Sequence, residues 1–255
     1  METLAISRHA GVVTIELNRP DVRNAFNDQV VVELTRAFEE LGSEDRAVVL
    51  TGAGKSFCAG ADLNWMKKSA QYTEEENAAD AATMVALFHA INTWSGPVIG
   101  RINGAALGGG VGLVSCCDIV VASDRAKFGL TEVRLGLVPA VISPFVIDKI
   151  GKSKARRYFM TGEIFDAEAA LGLGLVDIVV SPETLDETVS ELVAQILQNG
   201  PVAVAESKKL VFEVTSRARH DALDYAVATI ARLRVSDEGQ EGLGAFLEKR
   251  KPSWQ

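Results

Sequence analysis

The stretch Asn103-Gly104-Ala105-Ala106-Leu107-Gly108-Gly109-Gly110-Val111-Gly112 follows Pro97-Val98-Ile99-Gly100, which reads as a strand, and precedes a long apolar run. Each glycine weakens a helix by about 1 kcal/mol relative to alanine, so a glycine-rich helix start needs an offsetting benefit. Close packing in a buried core is one such benefit. The other is a ligand lying directly on the backbone amide of Gly109.

Two further segments pose the same choice. Ser56-Phe57-Cys58-Ala59-Gly60-Ala61-Asp62-Leu63 places small residues just before a helix start at Asp62. The first amides of a helix lack internal partners and carry the positive end of its dipole, so they can hold an anion or a developing oxyanion. A tight loop with Asp62 as an ordinary N-cap explains the same residues. Phe128-Gly129-Leu130-Thr131-Glu132-Val133-Arg134-Leu135-Gly136-Leu137-Val138-Pro139 embeds a carboxylate among apolar residues. On a surface Glu132 is a solvated charge; buried, its pKa rises toward the range useful for acid–base work.

Around these segments strands and helices alternate. Ala5 to Arg8 and Val12 to Leu17 read as strands joined by a turn at His9-Ala10-Gly11, and Ala47 to Leu50 and Asp118 to Ala122 as further strands. Val30, Leu34, Ala37, Phe38 and Leu41 recur at helical spacing, as do Met84, Leu87, Phe88 and Ile91. Leu185, Val189, Leu192 and Ile196 give a third helical face, closed by Asn199-Gly200-Pro201, and the chain reads as helical from there to about Lys249. The pattern predicts an α/β body carrying a C-terminal helical layer.

Composition narrows the function. A chain of 255 residues with 47% hydrophobic content buries a substantial core. The three cysteines, Cys58, Cys116 and Cys117, fit neither a disulfide framework nor a metal site, which points to a reducing, cytoplasmic setting. A net charge of -8 argues against nucleic acid or an anionic membrane as a partner. Neither a signal peptide nor a spanning helix is expected. Gly54-Lys55-Ser56 imitates the end of a P-loop, but the first glycine that motif needs is Val49. Gly110-Val111-Gly112 imitates a dinucleotide fingerprint, yet its third small position is Ser115 and its acidic residue, Asp124, comes too early. His9, His89 and His220 approach none of the glycine clusters, which disfavours a Ser-His-Asp hydrolase or a histidine metal site.

In this order, Asn18-Arg19-Pro20 with Asn24-Ala25-Phe26, then Ser56 to Leu63, Asn103 to Gly112 and Phe128 to Pro139 resemble the enoyl-CoA hydratase/isomerase (crotonase) family. The resemblance continues through Thr161 to Ala167 and Ala245 to Arg250, spanning almost the whole chain. It implies an α/β fold: a spiral of ββα turns, expected over 1–195, and a C-terminal helical region over 196–255 that forms trimers, often paired into hexamers. The implied activity is a lyase reaction, addition of water across the 2,3 double bond of an acyl-CoA. No metal and no cofactor is implied, coenzyme A being part of the substrate.

The resemblance assigns the amides of Ala61 and Gly109 to an oxyanion hole and proton transfer to Glu132. Arg23, Ala25, Lys55, Ala59, Asp62, Leu63 and Gly108 would contact substrate, with Arg23 and Lys55, and Lys249 from the last helix, near its phosphates. The family's hydratases use two glutamates around a water; Glu132 matches the second, and Gly112 stands where the first would be. Glu132 would then both activate the water and return a proton, with space at Gly112 holding substrate or water. Ala61 to Met66 and Glu132 to Pro144 look like the bacterial methylglutaconyl-CoA and carboxygeranoyl-CoA hydratase branch, which implies a branched, carboxylated acyl group, as in leucine breakdown. A single-glutamate Δ3,Δ2-enoyl-CoA isomerase is the nearest alternative, and a non-catalytic acyl-CoA-binding protein a second.

Overall fold

A computed structural model describes residues 1–255. The chain begins with β1 (Leu4–His9) and β2 (Val12–Leu17), an antiparallel pair, and a 3-10 turn at Pro20–Val22 leads to α1 (Asp28–Glu39). There follow β3 (Ala47–Gly52), β4 (Ser56–Cys58), α2 (Leu63–Ser69), α3 (Glu74–Thr93), β5 (Val98–Ile102), β6 (Ala105–Leu107) and α4 (Gly109–Cys116). Next come β7 (Ile119–Ser123), β8 (Lys127–Gly129), a 3-10 turn at Glu132–Leu135, α5 (Ser143–Thr161), β9 (Ile164–Asp166), α6 (Ala167–Leu173) and β10 (Ile178–Val180). The last elements are α7 (Leu185–Leu197), α8 (Pro201–Ser216), α9 (Arg219–Arg234) and α10 (Asp237–Glu248).

Contacts divide the chain into two units: residues 1–94 with 98–189, and residues 95–97 with 190–255. The division falls inside α7, six residues before the expected 195/196 boundary. The first turn of α7 belongs to the first unit, where Asp186 Oδ1 lies 2.6 Å from Arg101 Nε.

In the first unit two sheets grow together. The larger has six strands in the order β1-β2-β3-β5-β7-β10, and the smaller four in the order β4-β6-β8-β9. Each turn of chain adds one strand to the larger sheet, the next to the smaller, and then a helix: β3, β4, α2; β5, β6, α4; β7, β8, then the Glu132–Leu135 turn and α5. This is the expected spiral of ββα turns. Every residue of β3 is buried, which explains why the strand reads as an unbroken apolar run rather than an alternation.

The N-terminal loop is tied down by a buried polar residue. Asn24 has a left-handed backbone (φ 56°), and its amide nitrogen donates to the carbonyls of Ala53 and Ser56 at 2.9 and 2.8 Å. Its Oδ1 accepts from the Arg19 amide at 2.9 Å. Asparagine is one of the few side-chain-bearing residues that tolerates this conformation.

The space expected at Gly112 is absent. A Cβ there would stand 2.3 Å from Ile142 Cγ2 and 2.9 Å from Phe88 Cε1, because α4 packs between α3 and the start of α5. Gly112 serves close helix packing, the first of the two explanations raised by the sequence, and is removed from the substrate-binding set.

In the second unit, Glu238 accepts from the Val202 and Ala203 amides at 2.9 and 2.7 Å, placing a negative charge on the otherwise uncapped N-terminus of α8. Arg250 bridges Glu241 at 2.7 Å, and the Trp254 indole donates to the Gln198 carbonyl at 3.2 Å. Phe246 and Leu247 of α10 are left 80% and 77% exposed. No helix is long and apolar enough to cross a membrane.

Two stability outcomes follow from this packing. Gly112→Ala should lower the unfolding free energy by about 1–3 kcal/mol through overpacking, with part of the loss recovered in the Gly112→Ala/Ile142→Ala double variant. Asn24→Ala, which strands two carbonyls and one amide, should cost about 2–4 kcal/mol. Urea titrations of the variants against wild type measure both.

Candidate active site

The smaller sheet assembles the site through its register. Cys58 on β4 pairs with Ala106 on β6, so Ala61 and Gly109 each stand three residues beyond that pair (58 to 61, 106 to 109). Leu107 pairs with Gly129 on β8, and Glu132 follows Gly129 by three. The parallel strands β4, β6 and β8 thus deliver Ala61, Gly109 and Glu132 to one edge, at the carboxyl ends where open α/β sheets bind ligands.

Backbone bookkeeping then isolates two donors. The Ala59 amide donates to the Arg23 carbonyl at 3.0 Å, Phe26 to Gly60 at 2.7 Å, and Asp62 to Phe26 at 2.7 Å, through a parallel bridge between Phe26 and Ala61. The Ala61 amide has no acceptor within the protein. On the neighbouring strand the Gly108 amide donates to Gly129 at 2.8 Å, while that of Gly109, the first residue of α4, has none. Native proteins rarely leave such donors unpaired. Here they are the raw material for polarising a carbonyl oxygen.

Small residues permit the approach. A Cβ at Gly110 would lie 2.5 Å from the Cys58 carbonyl oxygen, so only glycine lets α4 begin so close to the β4 loop. Gly108 has φ 50° and ψ -118°, a conformation L side chains rarely adopt, and a Cβ there would sit 3.2 Å from Glu132 Oε1. The Cys58 thiol, sealed beneath, is pushed up to about 12 by burial, partly offset by the Gly60 amide, and is therefore not a nucleophile at neutral pH.

Glu132 lies in the 3-10 turn after β8 with its Oε2 buried and without a hydrogen-bond partner. Burial raises its pKa, against a smaller lowering by its own backbone amide. Burial of this kind moves a carboxyl group toward the range in which it can give as well as take a proton.

Two connected cavities meet at this point. The larger, about 370 Å³, runs along Met66, Ser69, Asn77, Asp80 and Leu135. The smaller, about 180 Å³, is walled by Phe26, Val138, Pro139, Ala140, Val141 and Ile142. Ala61, Trp65, Met84, Gly109, Glu132 and Val141 line both.

The other residues singled out by the sequence fall into four groups. Gly108 and Ala59 line the larger cavity. Arg23 and Lys55 are exposed on abutting loops, the Cβ position at Gly54 being 3.3 Å from Pro20 Cβ. Leu63 is 74% exposed and lines neither cavity. Ala25 is buried, with its carbonyl taken by Arg19 Nη1 at 2.6 Å.

Asp62 holds structure in place. Its Oδ1 accepts from the Asn64 and Trp65 amides, at 2.8 and 3.4 Å, and its Oδ2 from Arg19 at 2.9 Å. Burial, the largest influence, would raise its pKa, but these donors prevail and hold it low. It caps α2 and pins the N-terminal loop beside Ala61. Lys249 belongs to the second unit.

The sequence did not disclose Asp80. Its Oδ1 accepts from the Trp65 indole at 3.3 Å, and it shares one face of α3 with Asn77, Ala81 and Met84. The i, i+3, i+4, i+7 spacing of those four was the available signal.

The enoyl-CoA hydratase/isomerase family profile matches residues 7–255. A 2,3-dehydroadipyl-CoA hydratase of Escherichia coli is 32% identical over 259 residues, covering 100% of this chain and 99% of that enzyme. A short-chain-enoyl-CoA hydratase of Clostridium acetobutylicum is 33% identical over 98% of this chain and 97% of its own. The crystal structure of an enoyl-CoA hydratase from Shewanella pealeana superposes with a TM-score of 0.95 at 40% identity, over 99% of this chain and 96% of that one. A spiral that presents two unpaired amides and one buried glutamate on a single edge, matched along its whole length in this way, makes the chain a member of the enoyl-CoA hydratase/isomerase family.

Proposed function

We propose that the enzyme hydrates a short, uncharged 2-enoyl-CoA. The observation that carries this reading is the meeting of the Ala61 and Gly109 amides with Glu132 between the two cavities. The thioester oxygen receives both amides, which stabilise the charge that builds on it as water adds at the β-carbon. One such donor is typically worth about 3 kcal/mol in the transition state. Glu132 transfers the proton at the α-carbon. Arg23 and Lys55, exposed on neighbouring loops, meet the phosphates of coenzyme A.

The smaller cavity supports the choice of acyl group. Apart from Glu132, the side chains of its wall are apolar, so an alkyl tail gains burial there and a carboxylate loses hydration. The second reading is a branched, carboxylated group such as 3-methylglutaconyl. It has Ser69 and Asn77 as neutral donors, but no lysine, arginine or histidine lines either cavity, and the Asp80 carboxylate would repel it. The exposed Phe246 and Leu247 support assembly into a trimer or a pair of trimers.

Mass-resolved turnover tests the reading. Crotonyl-CoA should gain one water, with kcat/KM at least tenfold above that for 3-methylglutaconyl-CoA, and Glu132→Gln should lower kcat by about 10²- to 10⁴-fold. The reverse preference selects the carboxylated reading, and an isobaric shift of a 3-enoyl double bond without water gain selects the isomerase. Light scattering should return a multiple of three of the 27.3 kDa chain.

Burial of Glu132 sets a further outcome. Because its folded pKa is raised, the native state binds more protons than the unfolded chain, and this residue withdraws stability as pH rises above the ordinary glutamate value of 4.5. Glu132→Gln should therefore be more stable than wild type at pH 8, with the difference shrinking toward pH 4. Thermal melts at the two pH values measure it, and a constant difference contradicts the assignment.

A further inference from the structure

Hydration moves two protons, one off the water and one onto the α-carbon, and the site offers a single glutamate. The position from which a second could reach the substrate is closed, because Ile142 and Phe88 occupy the space beside Gly112. Besides Glu132, the side chains lining the cavities include one other carboxylate, Asp80.

Its setting suits the missing task. Asp80 lies one helical turn before Met84, whose Cε is 3.8 Å from the Cβ position at Gly109, and both side chains line the larger cavity together with Gly109 and Glu132. One turn is about 5.4 Å. The Trp65 indole fixes Oδ1 at 3.3 Å, and Trp65 itself lines both cavities where they join. Asp80 Oδ2 has no partner within the protein and is available to a water.

We propose that Asp80 is the general base that activates the water, a catalytic residue working opposite Glu132. The inference rests on the hydratase reading and divides its labour. One O–H bond of the water breaks and its proton goes to Asp80, while the oxygen forms the C–O bond at the β-carbon. The π pair of the C=C bond moves through the α-carbon toward the thioester oxygen, held by the Ala61 and Gly109 amides. The Glu132 O–H bond breaks and its proton joins the α-carbon. Transfer of the proton from Asp80 to Glu132 through solvent restores the site. Burial, which favours protonated Glu132, suits it to the acid half of this exchange. Asp80 thereby supplies, from a different helix, the second carboxylate that Gly112 cannot.

The test is Asp80→Asn, a near-isosteric change on a partly exposed helix, assayed for crotonyl-CoA hydration and for binding of butyryl-CoA, which takes no water. The expected result is a fall in kcat of about 100-fold or more, with the Kd of butyryl-CoA within threefold of wild type. A kcat within threefold of wild type overturns the proposal. So does a loss of kcat matched by an equal weakening of butyryl-CoA binding, which makes Asp80 a support for Trp65 and the cavity wall. A wild-type enzyme that adds no water to any 2-enoyl-CoA fails the hydratase reading itself, and is told apart because that result precedes any substitution.

Discussion

The arrangement depends on one constraint: the parallel register of β4, β6 and β8. Pairing Cys58 with Ala106 and Leu107 with Gly129 fixes where three strands end, and each end projects one group onto the same edge. The pairing of Phe26 with Ala61 then consumes the surrounding amides and leaves that of Ala61 over. The proposed oxyanion hole, built in this way, needs no special side chain. It needs a backbone whose hydrogen bonds are satisfied everywhere except at two places, and that condition is set by sheet geometry rather than by the residues that line the cavity.

The same geometry costs stability locally. Glu132 keeps a buried oxygen without a partner, Gly108 holds a backbone that side-chain-bearing residues avoid, and Asn24 does the same beneath the loop that carries Ala61. Each would relax if it could, and the surrounding packing prevents it. Gly110 against the Cys58 carbonyl and Gly112 against Ile142 and Phe88 leave α4 no room to shift, so the Gly109 amide stays where the register puts it. Asp62, spent on Arg19 and on the cap of α2, does the equivalent for Ala61.

The sequence disclosed five of the six strands of the larger sheet, β1, β2, β3, β5 and β7, and the helices α1, α3 and α7 from their apolar runs and periods, but not the three-residue β10 or α5. It concealed the smaller sheet, whose strands β4, β6, β8 and β9 are three residues long and carry no resolvable period. Since that sheet positions the site, the glycine clusters and Glu132 could be recognised as a set only through family resemblance. Gly112 was misread because a missing side chain looks the same in sequence whether it leaves space or admits a neighbour. The neighbour here, Ile142, lies thirty positions downstream. Asp80 was passed over because a single acid on a helix face resembles ordinary solvated charge.

The central claim is that the unpaired Ala61 and Gly109 amides polarise the thioester carbonyl. Isotope-edited infrared spectroscopy of [1-¹³C]crotonyl-CoA bound to the Glu132→Gln enzyme, where turnover is blocked, measures that carbonyl directly. The structure predicts a shift of its stretching band to lower frequency than in free crotonyl-CoA, as two N–H donors draw electron density onto the oxygen. A bound carbonyl that vibrates at the frequency of the free thioester would contradict it.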